Sequence, residues 1–172
     1  MLTSRLTAAF LIAVSSAGLA LAAEPTDPQI AHIAYTAGSI DIEAAKLALE
    51  KSKNADVVAF ANDMLRDHQA VNDQALALVK KLGVTPEDND TSKGLAAAAK
   101  KEKAALAALD GDAFDKAYAA NEVAYHQTVN NALDTILIPN TSNAELKALL
   151  TTGLRIFQGH QEHAEHLAAS LD

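Results

Sequence analysis

Apolar residues recur in steps of three and four along nearly all of the chain after residue 27, the spacing of one helical face. The first stripe is Ile30, Ile33, Ala37, Ile40, Ala44 and Leu47, which predicts a helix from Pro28 to Lys53. Asp27 is its candidate N-cap, with Pro28 in the first turn, where a missing N–H costs nothing. Asn54 breaks and recaps the chain. A second helix follows to Leu82 along the cleanest stripe, Val57, Ala61, Met64, His68, Val71, Ala75, Leu78 and Leu82, and Gly83 supplies its stop. "GVTPEDNDTSKG" reads as an acidic connection, and "LAAAAKKEKAALAALDG" as a short third helix, an arm or crossover. Asp112, with Asp115 three residues on as in a capping box, predicts the start of a long helix through Phe114, Tyr118, Glu122, His126, Val129 and Leu133. That helix is expected to stop before Pro139. "SNAE" at 142–145 is another capping-box pattern and opens a last helix to Leu171. No repeat or low-complexity tract marks a second domain. The fold expected is all-α, an up-down four-helix bundle with one additional short helix.

Some rungs of these stripes are polar. The last helix carries the ladder Leu150, Gly153, Phe157, His160, Ala164, Leu167 and Leu171. Its run "FQGHQEHAEHL" holds three of the six histidines, yet only His160 is a rung. His163 lies about sixty degrees away and His166 farther round. His68 is a rung between Met64 and Val71, with Asp67 beside it. His126 shares a face with Tyr118, Val129 and Leu133, and Glu122 precedes it by one turn. Asp41 sits on a strip of small residues, Ala34, Ala37, Ala44 and Ala48, that leaves room for a carboxylate and whatever it binds. Counting from the helix ends puts Asp41, His68, His126 and His160 within about two turns of mid-bundle.

Unpaired polar groups in a core are costly, so residues at one level must satisfy one another or bind something. Three neutral imidazoles and a carboxylate suit a borderline divalent cation such as zinc, copper or iron. On that reading His68, His126, His160 and Asp41 are ligands. Glu122 is a fifth candidate, and Asp67 orients a ligand imidazole from behind. The rival reading is a hydrogen-bonded His–Asp–Tyr network that fixes the bundle register without metal.

The first residues change the picture of where this happens. "MLTSRLTAAFLIAVSSAGLALAAEP" has one charge, Arg5, then an apolar run and small residues ending in Ala20-Leu21-Ala22, the layout of a secretory signal peptide. Residues 1–22 are expected to be removed, leaving residues 23–172 as one domain without an integral membrane segment. The expected location is periplasmic or secreted, with outer-membrane association left open. The absence of cysteine excludes disulfides, thiolate metal sites and cysteine nucleophiles. Loss of Arg5 moves the net charge from −8 to −9, which opposes binding to nucleic acid or anionic lipid. No Gly-rich phosphate loop or nucleophile motif argues for a hydrolase.

Four blocks, "DIEAAKLALEKSKN", "FANDMLRDHQAVN", "FDKAYAANEVAYHQ" and "HQEHAEHL", resemble those of a secreted, ferritin-like bacterial family of unknown function, number four-one-four-two, often labelled putative outer membrane proteins. The resemblance covers residues 28–171, and "FA..M..DH" and "FD.AY.......H" are its most specific parts. It implies a ferritin-like bundle. It places the family's first-block Glu on Asp41, its Asp-His pair on Asp67 and His68, and its later histidines on His126 and His160. Asp41 is shorter than the usual Glu, and Arg155 stands where the family often has Pro, which implies a straighter last helix. A ferritin-like di-iron site needs Glu-x-x-His on two helices. Leu65 and Phe157 stand three residues before His68 and His160, so a mononuclear His-rich site fits better. Three functions follow in order: metal handling or envelope stress protection, a metal-free structural or protein-interaction module, and a metal-dependent redox enzyme.

Overall fold

The computed structural model describes residues 24–171, and every regular element among them is helical. The expected signal peptide, residues 1–22, lies outside the described residues. Helix α1 spans Asp27–Lys51, α2 Ala55–Leu82, α3 Asp90–Ala107, α4 Gly111–Ala132 and α6 Ala144–Leu171. A π-helical turn, Leu133–Leu137, and a three-residue helix α5, Ile138–Asn140, lie between the last two. None of the described helices is long and apolar enough to cross a membrane.

Local chemistry sets most of the boundaries. Asn54 Oδ1 accepts from the N–H groups of Asp56 and Val57, and Gly83 closes α2 in the left-handed conformation at φ 65°. Three starts differ from expectation. Thr26 is the N-cap of α1, where Gln29 Oε1 accepts from its N–H, so Asp27 is already helical. The Asp27 carboxylate instead accepts from the N–H groups of Ser142 and Asn143, 2.8 Å each, pinning the start of α6 to the start of α1. Helix α4 begins after Asp110 rather than Asp112, because Gly111 at φ 55° makes the turn, and Asp115 is buried. Asn143, not Ser142, caps α6 by accepting from Glu145 and Leu146.

The chain also does not stop before Pro139. Helix α4 widens into the π turn, where the Ile138 N–H reaches back to Leu133 O, and Pro139 is carried in α5. Pro139 has no N–H to give, and its ring would crowd the carbonyl four residues back in a regular helix. The wider turn relieves both problems.

Helix α3 determines the topology. Its start lies against the start of α1, where the Glu87 N–H donates to Pro28 O and Asn89 Nδ2 to Gln29 O. Its end lies against the end of α1, where Lys51 Nζ donates to Ala107 O and pairs with Asp110. It therefore runs parallel to α1 and returns the chain to the level where α2 began. The long helices α1, α2, α4 and α6 run up, down, down, up, with α3 a crossover along the α1–α4 side. This departs from simple alternation. It also explains why Ile40, Ala44 and Leu47 are only half-buried: they face the groove under α3, while Ile42, Ala45 and Ala48 turn to the core.

The core is divided. One apolar cluster, including Ala45, Val57, Phe60, Met64, Phe114, Tyr118, Ala164 and Leu167, fills the half near the end of α1. A second, including Ile30, Ile33, Leu133, Leu146, Leu150 and Phe157, fills the other half. Each large side chain so buried contributes about 1.5–3 kcal/mol. Between the clusters lies a polar layer of Asp41, His68, Asn72, Glu122, His126, Asn130 and His160, all buried.

Candidate metal centre

Two asparagines hold the polar layer in register. Asn72 Nδ2, on α2, donates to Tyr35 O and Ser39 Oγ of α1. Gly38 permits this close approach, because a Cβ there would sit 2.4 Å from Asn72 Oδ1. Asn130 Nδ2, on α4, donates to Phe157 O and Gln161 Oε1 of α6. Each asparagine follows a layer histidine by one turn, in "HQAVN" at 68–72 and "HQTVN" at 126–130. That short echo is the sequence signal that could have identified both. Because each latch lies one turn from a histidine, it fixes that ring's height against the neighbouring helix.

The three expected histidines meet. Ring centroids are 5.7 Å apart for His68 and His126, 5.3 Å for His68 and His160, and 5.5 Å for His126 and His160. One nitrogen from each lies within 4.8 Å of the other two. Asp41 enters from α1, with Oδ2 3.1 Å from His68 Nε2 and 3.5 Å from His126 Nε2. Neither approach has hydrogen-bond geometry, and both Asp41 oxygens lack a partner. Glu122 joins Asp41 and His126 in a second triad of the same dimensions, so the two triads share His126.

The outward nitrogens decide which lone pairs face inward. His126 Nδ1 is 3.0 Å from Glu122 O, a carbonyl that can only accept, so this nitrogen carries the proton. Its Nε2 then presents a lone pair toward the Asp41 carboxylate, an arrangement that attracts a cation. His160 Nε2 is 3.0 Å from Asp67 Oδ2 and donates to it, which leaves Nδ1 as a buried lone pair without a partner. Asp67 is in turn held by Arg66 through Nε at 2.7 Å and Nη2 at 3.0 Å. A histidine oriented by a carboxylate behind it is the usual support of a metal ligand. His68 stacks on Phe157, with centroids 4.4 Å apart and planes 11° from parallel, and neither of its nitrogens has a hydrogen-bond partner.

Charge separates the two inner carboxylates. Burial raises the Asp41 carboxyl, but the facing His68 and His126 outweigh it and hold it at about 2. Burial and the adjacent Asp41 charge push Glu122 well above the ordinary range. Without a cation the pair is therefore one carboxylate, Asp41, and one protonated acid, Glu122. Burial lowers both His126 and His160, the latter to about 4, with Asp41 and Asp67 respectively opposing. Both imidazoles are neutral at pH 7, the form that binds metal. Arg66 first, and His160 to a lesser extent, hold Asp67 below its ordinary value.

The structure thus gathers Asp41, His68, His126, His160 and Glu122, with Asp67 behind His160. His163 and His166 are exposed and outside the layer, and His163 instead meets the Phe60 ring edge-on at 5.0 Å. The tyrosines of the expected His–Asp–Tyr network do not bond the layer's imidazoles or carboxylates. Tyr125 donates its hydroxyl to Ala37 O, while the Tyr118 hydroxyl is buried without a partner. Three inward imidazoles and one ionised carboxylate match the donor set of a transition-metal ion in type, spacing and protonation.

Comparison with known proteins adds one match. The family model described as "Domain of unknown function (DUF4142)" matches residues 13–167. No curated protein and no solved structure matches the chain.

Proposed function

The chain belongs to the DUF4142 family, and from that premise we propose that it is an exported, ferritin-like bundle that binds one transition-metal ion in its polar layer. Its work is periplasmic metal handling or envelope stress protection rather than turnover. The single crossover α3, which leaves the long helices up, down, down, up, supports the ferritin-like reading. The observation that carries the metal reading is the pairing of outward nitrogens. His126 and His160 each commit one ring nitrogen to an acceptor, the Glu122 carbonyl and the Asp67 carboxylate, and leave the other buried without a hydrogen-bond partner.

His68, His126 and His160 would hold the ion, with Asp41 as the carboxylate. A bound divalent cation supplies the positive charge that balances Asp41 and favours loss of the Glu122 proton. Asp67 keeps the His160 ring turned inward. The imidazole-rich set favours zinc, copper or iron over magnesium or calcium.

A metal-free register network is the rival, favoured by the 3.1 Å approach of Asp41 to His68. Elemental analysis of natively exported, untagged protein separates the two. Near-stoichiometric metal in the wild type, lost in His160→Ala and His68→Ala but kept in His166→Ala, is the expected result. Protein that is metal-free and refuses reloading with each ion would establish the network instead.

A further inference from the structure

Beside the polar layer lies a cavity of about 780 Å³, within the size range of small-molecule sites. It lies in the half of the bundle near the start of α1, against the second apolar cluster, and is lined by residues of α1, α2, α4 and α6. Its walls are mainly apolar where the helices face it, with the small residues Ala34, Ala75 and Gly153 among larger ones such as Val129 and Leu150. Along α6 the lining extends from Leu146 to Phe157, roughly 16 Å at the helical rise. The space is therefore long as well as apolar. Water needs two to four polar partners, and these walls offer few between the mouth and the layer.

Two features narrow the occupant. The exposed Glu24 and Asp90 line its outer part, and no lysine or arginine among the described residues lines it. An anionic head group would meet like charge and no cation. At the inner end is His68, 2 % exposed, with both nitrogens lacking a hydrogen-bond partner. His126 and His160 have acceptors for one nitrogen each, and His68 alone of the three does not. We propose that this cavity binds an uncharged, elongated apolar molecule carrying one oxygen at its end, a hydroxyl or carbonyl, with the chain between the helices and the oxygen at His68. This site does not rest on the metal reading, and its test is run in excess chelator so that the two stand or fall separately.

The experiment uses the full chain and the fluorescence of 1-aminoanthracene, an uncharged apolar probe, with displacement by alkan-1-ols and by alkanoates of equal length. Ala34→Leu and Ala75→Leu fill the cavity, and Ala70→Leu makes the same change on the exposed face of α2. The expected result is saturable one-to-one binding of the probe, displaced at least tenfold better by decan-1-ol than by decanoate. Both cavity-filling variants weaken the probe at least tenfold while melting no lower than wild type, and Ala70→Leu leaves it unchanged. His68→Leu weakens decan-1-ol about fivefold, the loss of one neutral hydrogen bond, and leaves the probe in place. Absence of saturable binding, equal binding by the filled variants, or a preference for decanoate would each overturn the proposal.

Discussion

Removal of the Asp67 carboxylate is the sharpest test of how the centre is built. Asp67 is not itself an inner ligand; it accepts from His160 Nε2 at 3.0 Å and is gripped by Arg66 on its other side. Supports of this kind alter metal affinity by about 10–100-fold, or about 1.4–2.7 kcal/mol. The side chain is 27 % exposed and Arg66 neutralises part of its charge, so the lower end applies: about tenfold for Asp67→Ala. Asparagine keeps an acceptor oxygen but not the charge, so Asp67→Asn should lose about threefold, since a neutral acceptor is roughly half as strong as a charged one. The assay is competition against a chromophoric chelator at pH 7, with melting in excess chelator as the folding control. Wild-type affinity in Asp67→Ala would refute the orienting role, because His160 would then hold its inward lone pair unaided. Loss of affinity with an equally large fall in the chelated melting temperature would refute it as well, since the effect would belong to the fold.

Three further expectations follow from the same geometry. In chelator, burial holds His160 at about 4, below the ordinary histidine value of 6.5, so the folded state binds fewer protons and stability falls as pH drops from 6.5 toward 4. At pH 5 this group alone costs about 2 kcal/mol relative to neutral pH, read by urea unfolding, and the same loss in His160→Leu would sink the assignment. Glu122→Gln should leave the metal-free protein within about 1 kcal/mol of wild type, because Glu122 is already uncharged, whereas Asp41→Asn, which removes the charge facing His68 and His126, should cost about 2 kcal/mol. Equal unfolding midpoints for the two variants would show that the carboxylates share their proton differently. Gly38→Ala should lower stability by about 1–3 kcal/mol despite alanine's better helix propensity, because its Cβ would collide with the Asn72 side chain, whose Nδ2 is held by two acceptors on α1. Unchanged melting would mean that α1 and α2 part there without cost.

The polar layer was legible because it interrupts clean ladders. His160 stands between Phe157 and Ala164 on the buried face of α6, and a period of 3.6 suffices to find it and to set His163 and His166 aside. Asp41 could be found from the small residues around it. Periodicity identified helices and their inner faces, but not what lies between distant segments. Asp27 reads locally as a cap and serves instead to tie α1 to residues 142 and 143, a contact across 115 residues that no local pattern encodes. The π turn before Pro139 was missed because a stop and a widened turn relieve the same proline. The stripe Ile40, Ala44, Leu47 predicts a helix but not what covers it, because a face covered by a crossover looks, in sequence, like a face covered by the bundle.

Helix α3 buries only Ser92 near its first turn and Leu106 near its last. Between them its alanines and lysines lie over the groove that Asp41 and Glu122 reach from the inside. An 18-residue helix with so few buried side chains should open as a separate unit, at a free energy well below that of the whole bundle. Its amides should lose protection against hydrogen exchange before those of α1 or α6. On the metal reading, the rate at which an ion would enter or leave the layer is expected to follow the opening of this one strap. A metal held there would then be released by a local fluctuation rather than by global unfolding.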